Sequence, residues 1–158
     1  MIIITQPQPL NSTITSQVNV SCIGGNNGSA TVTASGGTFP YYYLWNNPFP
    51  SQTTETSINL PPGTWIVTVT DSNGCITSTS VTIKEFSSIN LNITPSQNLC
   101  VGEQANILAI ASGGVQPYTF FWNNIQGPSL YSFQAINSIT VSVYTIDALG
   151  CTDRKSVV

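Results

Sequence analysis

The chain contains no histidine and very little charge: three Lys and Arg together, six Asp and Glu, 6% of 158 residues. Ordinary globular proteins carry roughly 25%. Without imidazole there is no Ser-His-Asp or Cys-His relay, and the usual zinc-enzyme ligand sets are missing. A net charge of -3 with so few cations leaves no basic patch to neutralise phosphates, which argues against nucleic acid and anionic lipid as partners. No apolar run approaches the ~20 residues needed to span a bilayer, so no membrane insertion is expected. The opening Met1-Ile2-Ile3-Ile4 is too short for a signal peptide and lacks a basic start or cleavage site, so any export signal is expected to lie elsewhere.

What fills the chain instead is Thr, Ser, Asn, Gln, Val and Ile, with 12 Gly and 10 Pro, a composition of strands and turns rather than helices. It also repeats itself after about 77 positions. Cys22 matches Cys100, Ser35-Gly36-Gly37 matches Ser112-Gly113-Gly114, and Pro40-Tyr41 matches Pro117-Tyr118. Trp45-Asn46-Asn47 matches Trp122-Asn123-Asn124, and Asp71, Gly74 and Cys75 match Asp147, Gly150 and Cys151. Landmarks in one order imply duplication, with units at 1–84 and 85–158 joined near Lys84-Glu85-Phe86.

Period-two alternation appears between the turn residues. Tyr41, Tyr43 and Trp45 share one face, as do Tyr118, Phe120 and Trp122; Trp65, Val67 and Val69 share another, continued by Asp71. Tyr43, Trp45, Trp65, Phe120 and Trp122 are therefore assigned to the core, since buried aromatic rings carry much of the apolar area. Further strands are expected over Leu10 to Ile14, Ala30 to Ala34, Ser57 to Leu60 and Ser78 to Ile83. About seven short strands per unit with frequent turns predict two tandem immunoglobulin-like (PKD-like) β-sandwiches, an all-β chain.

Four cysteines allow three pairings. The duplication favours Cys22 with Cys75 and Cys100 with Cys151, each unit then closing itself. Such a loop would stabilise by on the order of 4 kcal/mol and implies an oxidising compartment. Zinc fits poorly, because there is neither histidine nor a C-x-x-C spacing. Of the carboxylates, Asp71 and Asp147 sit in equivalent turns of different units, so they do not form the close acid pair that glycoside cleavage requires; each is expected to cap its turn. Asp71 with Asn73 offers oxygen ligands, but Ca²⁺ wants six to eight. No catalytic residue, metal or cofactor is therefore predicted. Within the aromatic run Phe39 to Trp45, Phe39 and Tyr42 stand outside the core set and are the residues that could meet a ligand, such as a sugar stacked on exposed rings.

The run Val20-Ser21-Cys22 through Gly24-Gly25-Asn26-Asn27-Gly28-Ser29-Ala30-Thr31-Val32, Ser35-Gly36-Gly37, Pro40-Tyr41 and Leu44-Trp45-Asn46-Asn47 resembles the SprB-type repeat of gliding bacteria. Pro62-Gly63-Thr64 and Val67-Thr68-Val69-Thr70-Asp71-Ser72-Asn73-Gly74-Cys75 fit the same pattern, and Ile4-Thr5-Gln6-Pro7 is similar to the segment joining consecutive repeats. The resemblance covers residues 4 to 83; residues 87 to 158 lack the Gly-Gly-Asn-Asn-Gly and Pro-Pro-Gly stretches and look like a divergent copy or a PKD-like relative. It implies a large, repetitive extracellular cell-surface protein exported by the type IX system and used in adhesion or gliding, with no catalytic residues to carry over. The expected function is a structural and adhesive segment of a surface protein or fibre. Its partners would be other copies of the repeat, surface polysaccharide or solid surfaces. The competing expectation is a carbohydrate-binding accessory module of a secreted enzyme.

Overall fold

Rows of β-branched residues broken by Gly, Asn and Pro have one stable outcome, short strands that bury alternate side chains against a second sheet. The computed structural model describes residues 6, 8–47, 50–94 and 98–157. Met1 to Ile4, and all but Gln6 of the joining segment, lie outside them. No helix occurs among the described residues. The chain divides into two compact units, Met1–Glu85 and Phe86–Val158.

The first unit contains β1 (Asn11–Val18), β2 (Gly28–Ser35), β3 (Tyr42–Trp45), β4 (Thr56–Leu60), β5 (Gly63–Thr70) and β6 (Ile76–Ile83). They form two antiparallel sheets, β1-β2-β4 and β3-β5-β6. The second contains β7 (Asn90–Ile93), β8 (Gln104–Ser112), β9 (Thr119–Trp122), β10 (Ile125–Gly127), β11 (Leu130–Gln134), β12 (Val141–Ile146) and β13 (Thr152–Val157). Its sheets are β11-β8-β7 and β10-β9-β12-β13. Each unit is an immunoglobulin-like β-sandwich. Where about seven strands per unit were expected, the described residues form six in the first unit and seven in the second. The additional β10 arises from a hairpin in which Asn123 and Asn124 take the positive φ values of 48° and 69°, a conformation that asparagine tolerates.

Glu85 belongs with the first unit rather than the second because it bridges Val20 and its Oε2 accepts the Gly24 amide at 3.1 Å. Strand β1 runs on to Val18, past the expected end at Ile14, by way of a register shift between Ile14 and Ser16. Beyond it, β1 lies along the terminal strand β6: the Val20 amide donates to the Lys84 carbonyl at 2.9 Å, the Lys84 amide to Asn19 Oδ1 at 3.0 Å, and Gln17 Nε2 to the Thr82 carbonyl at 3.3 Å.

Both cores follow the predicted alternation. Val20, Val32, Trp45, Leu60, Val67, Val69 and Ile83 form the first, with Tyr43 and Trp65 packed at its margin. Leu91, Ile107, Trp122, Val141 and Val143 form the second, with Phe120 and Tyr131 against it. Each central tryptophan satisfies its indole N–H, Trp45 with the Thr54 carbonyl at 3.0 Å and Trp122 with that of Pro128 at 2.8 Å. Trp122 also stacks on Tyr131 at 5.0 Å.

One core position differs informatively. Thr145 of β12 is fully buried and its hydroxyl has no partner among the described residues. Register makes Val69 of β5 its equivalent: Val69 pairs with Tyr43 and Thr145 with Phe120. Thr145→Val keeps the shape and removes a stranded hydroxyl, so it is expected to stabilise the chain by about 1 kcal/mol. Urea denaturation would read this as a higher midpoint at unchanged slope, and a lower midpoint would refute it.

Candidate functional site

The Gly-Gly, Pro-Tyr and Asp-x-x-Gly-Cys landmarks converge at one pole of each sandwich. Asp71 closes the inward row of β5, and a strand's last inward position brings its carboxylate to the mouth of the core. It is buried, with 3% of its surface exposed. Its Oδ1 accepts the amides of Asn73 at 2.9 Å and Cys75 at 2.8 Å, and its Oδ2 accepts the amide of Thr38 at 2.9 Å. In the second unit Asp147 takes the amides of Leu149 and Cys151 on Oδ1, both at 2.9 Å, and that of Val115 on Oδ2 at 3.0 Å. The carboxylate thus ties the Asp-x-x-Gly-Cys turn to the Gly-Gly turn across the sandwich.

This explains the glycine pair. Gly37 and Gly114 have φ of 57° and 58°, and a Cβ there would stand 2.7 and 2.5 Å from the aspartate Oδ2. At Gly36 and Gly113 a Cβ would collide with the carbonyls of Pro9 and Ser88. The tyrosine of each Pro-Tyr pair completes the pole: Tyr41 Oη donates to the Gly36 carbonyl at 2.5 Å, and Tyr118 Oη to that of Gly113 at 2.6 Å. Phe39-Pro40 and Gln116-Pro117 are both cis.

Burial is the largest influence on Asp71 and pushes its pKa up, but the amides of Cys75, Thr38 and Asn73 together outweigh it and hold it below the ordinary carboxylate value. Asp147 behaves alike, burial opposed and overcome by the amides of Val115, Cys151, Leu149 and Gly150. Amide hydrogens occupy the faces on which a cation would sit, and Asn73 Nδ2 is turned to Thr38 Oγ1 at 2.9 Å. Among the described residues no three His, Cys, Asp or Glu side chains gather to hold a metal.

Neither expected disulfide forms. Cys75 and Cys100 are free, exposed thiols, so neither Cys22 with Cys75 nor Cys100 with Cys151 is bonded. Topology gives the reason. Cys75 precedes β6, whereas Cys22 follows Val20, which bridges Glu85 beyond the other end of β6. The length of that strand, roughly 25 Å, separates them, and a disulfide needs Cα atoms within about 7 Å. Likewise Cys100 lies at the start of β8 while Cys151 hydrogen-bonds Asp147, which holds Val115 beyond its end; roughly 30 Å intervenes. Cys22 and Cys151, both half-buried, are in disulfide form.

Among the aromatics, Phe39 is 79% and Tyr42 60% exposed, while Trp45 and Trp122 are buried. Tyr43 donates to Glu55 Oε1 at 3.1 Å, and burial together with that carboxylate pushes its pKa up to about 12. A second aromatic surface was missed in the sequence: Phe121 and Tyr144 stack in parallel at 4.7 Å on the outer face of the second unit, with Arg154 over the Tyr144 ring at 5.6 Å. Both follow inward-facing neighbours by one residue, and only the cross-strand pairing of β9 with β12 brings them together.

The depressed carboxylates fix how stability depends on pH. Their contribution is fully present above the unfolded value of about 3.9 and is lost as pH falls through the lower folded values. Asp71→Asn with Asp147→Asn places an NH₂ or a weaker acceptor against amide donors. The double variant is expected to melt several degrees lower at pH 7 and to lose less stability than the parent between pH 5 and pH 2. Equal acid sensitivity in a pH series of thermal melts would contradict this. A chelator should leave the melting temperature of the parent unchanged.

No curated protein matches the chain. Among solved structures it is similar to the Sidekick-1 immunoglobulin domains 1-5 at 12% identity and a TM-score of 0.41, covering 92% of this chain and 38% of that one. It is also similar to the eight N-terminal Ig domains of the Down Syndrome Cell Adhesion Molecule, at 13% identity and TM-score 0.38, covering 95% and 20%. Dpr2 Ig1-Ig2 in complex with DIP-Theta Ig1-Ig3 gives 9% and 0.39, covering 96% and 64%. The chain therefore spans less than two thirds of each of these chains. The SprB repeat model matches residues 14–48 and 92–127, one segment in each unit.

Proposed function

We propose that this chain is a structural and adhesive segment of a large secreted bacterial cell-surface protein or fibre, acting as stalk and as multivalent contact surface. The observation that carries this reading is the same aspartate-held pole built twice, in two units that are each matched in part by the SprB repeat model. A unit repeated with its internal clamp intact is a building block, and weak contacts gain strength from being repeated. The outer faces suit that role. Thr15 with Thr33 at 3.1 Å, Thr31 with Thr56 at 3.0 Å and Thr64 with Thr82 at 3.2 Å form exposed hydroxyl ladders, and the low charge lessens repulsion between copies. Disulfide chemistry at Cys22 and Cys151 agrees with an extracellular setting, and the resemblance to the SprB repeat implies the type IX route to it.

A carbohydrate-binding role is favoured by one observation, the exposed Phe39 and Tyr42 rings. Phe39→Ala with Tyr42→Ala would then erase binding on a glycan array, and a blank array with the parent removes this alternative.

For the adhesive role, the soluble chain and nanoparticles displaying many copies would be compared on polysaccharide-coated and bare solid surfaces. Display is expected to lower the half-saturating concentration by about 10²- to 10⁴-fold; equal binding by both forms would overturn the multivalent reading. An antibody to the chain should label unpermeabilised producer cells, and an exclusively internal signal would overturn the proposed location.

A further inference from the structure

The stack of Phe121 and Tyr144 is the middle of a longer row. Register pairs Gln126 of β10 with Phe121 of β9, Phe121 with Tyr144 of β12, and Tyr144 with Arg154 of β13. Side chains paired across strands share a face, so all four stand on the outer face of one sheet of the second unit, between its poles. Neighbouring strands lie about 4.8 Å apart, and the row therefore spans roughly 14 Å.

The fold does not require this row. At the equivalent level of the first unit Leu44 pairs with Thr68 and Thr68 with Ser78, and that sandwich closes with neither an aromatic pair nor a cation there. In the second unit the row is built around one charge. The Arg154 guanidinium lies over the Tyr144 ring, which stacks on Phe121 with 3° between the planes, and it donates to Asn124 Oδ1 at 3.4 Å. Ring and amide orient the guanidinium on an exposed side chain, an arrangement suited to bidentate capture of a carboxylate. No Asp or Glu of the unit supplies that partner. Glu103 accepts the Cys100 amide at 2.8 Å, Asp147 is buried at its pole, and Asp153 accepts the Leu91 amide at 2.9 Å and pairs with Lys155 at 3.2 Å. The Gln126 side-chain amide and the Tyr144 hydroxyl likewise meet no hydrogen-bond partner among the described residues.

A cation flanked by a hydroxyl, an amide and a rigid apolar strip matches a ligand that carries a carboxylate, many hydroxyls and C–H faces. One cation binds weakly, which suits a polymer that presents the same group repeatedly. We propose that this row binds a polysaccharide of uronic acids, with a carboxylate on the Arg154 guanidinium, pyranose C–H faces against Phe121 and Tyr144, and hydroxyls on Gln126 and Tyr144 Oη. The inference rests on the adhesive reading and names a contact surface and a partner class for it.

The test titrates a short oligogalacturonate into the soluble, isotope-labelled chain and follows it by NMR, which reads a single site without display. Shifts are expected to gather on Gln126, Phe121, Tyr144 and Arg154, and affinity should fall as salt is added. The methyl-esterified oligomer keeps the sugar and masks the carboxylate, so it should bind about tenfold more weakly or worse, a comparison that needs no substitution. Arg154→Gln should weaken binding of the acid form to the same extent. Arg154→Lys should recover little of it, because an ammonium is a point charge without the planar fork. Thermal melts matching the parent confirm that both variants are folded, and Phe39→Ala with Tyr42→Ala should leave the titration unchanged. Equal affinity for the ester, undiminished binding by either Arg154 variant, shifts centred on the first unit, or oligoglutamate binding as tightly as oligogalacturonate would each overturn the proposal. A gain on display that survives Arg154→Gln would remove this site and leave the adhesive reading standing. Absence of that gain beside an Arg154-dependent titration would remove the multivalent reading alone.

Discussion

A buried carboxylate that accepts three backbone amides is the constraint on which each unit depends. An aspartate at the end of an inward row would be expensive to bury alone, and here it is the acceptor that two turns otherwise lack. Oδ1 organises the turn in its own chain segment and Oδ2 holds the Gly-Gly turn more than thirty residues earlier. The rest of the pole is fitted around that oxygen. The glycines are glycines because a side chain would strike the carboxylate or a neighbouring carbonyl, and the tyrosine hydroxyl takes up a carbonyl that the turn leaves exposed.

The cores obey simpler rules and show how much latitude remains once the clamp is in place. Both keep a central tryptophan with a satisfied indole, yet one supports it with Leu60 and Ile83 and the other with a stacked Tyr131. At one position the second unit tolerates a buried threonine where the first has valine. Packing by area allows such exchange, whereas amide geometry at the pole does not. This accounts for the Gly-Gly, Tyr and Asp landmarks that the two halves share at the pole.

The alternation that placed Trp45, Val67, Val69 and their counterparts inside was legible in the sequence because a strand's period is local. So was the turn-capping part of Asp71 and Asp147, whose partners Asn73 and Cys75, or Leu149 and Cys151, lie within four residues. The bond to Thr38 or Val115 was not, since it depends on which strands become neighbours. The cysteines failed for the same reason. Pairing within a unit looks economical along the chain, but the strand order sends the two sulfurs to opposite ends of a sandwich. The Phe121–Tyr144 stack was hidden by a cross-strand register that no spacing reveals.

The course of the first unit's outermost strands has a consequence for how it would respond to force. Its chain arrives near the Gly36 pole and departs at Glu85, and between these ends β1 is laid lengthwise against β6, with Val20 just beyond β1 meeting Glu85 just beyond β6 in a parallel bridge. Tension applied through the two termini therefore acts along the rows of bonds at Gln17, Asn19 and Val20 rather than across them. Strands loaded in this way must slide past each other and give up several bonds together, where a hairpin drawn from one end would unzip them singly. Such an arrangement stays folded under drag until it yields all at once.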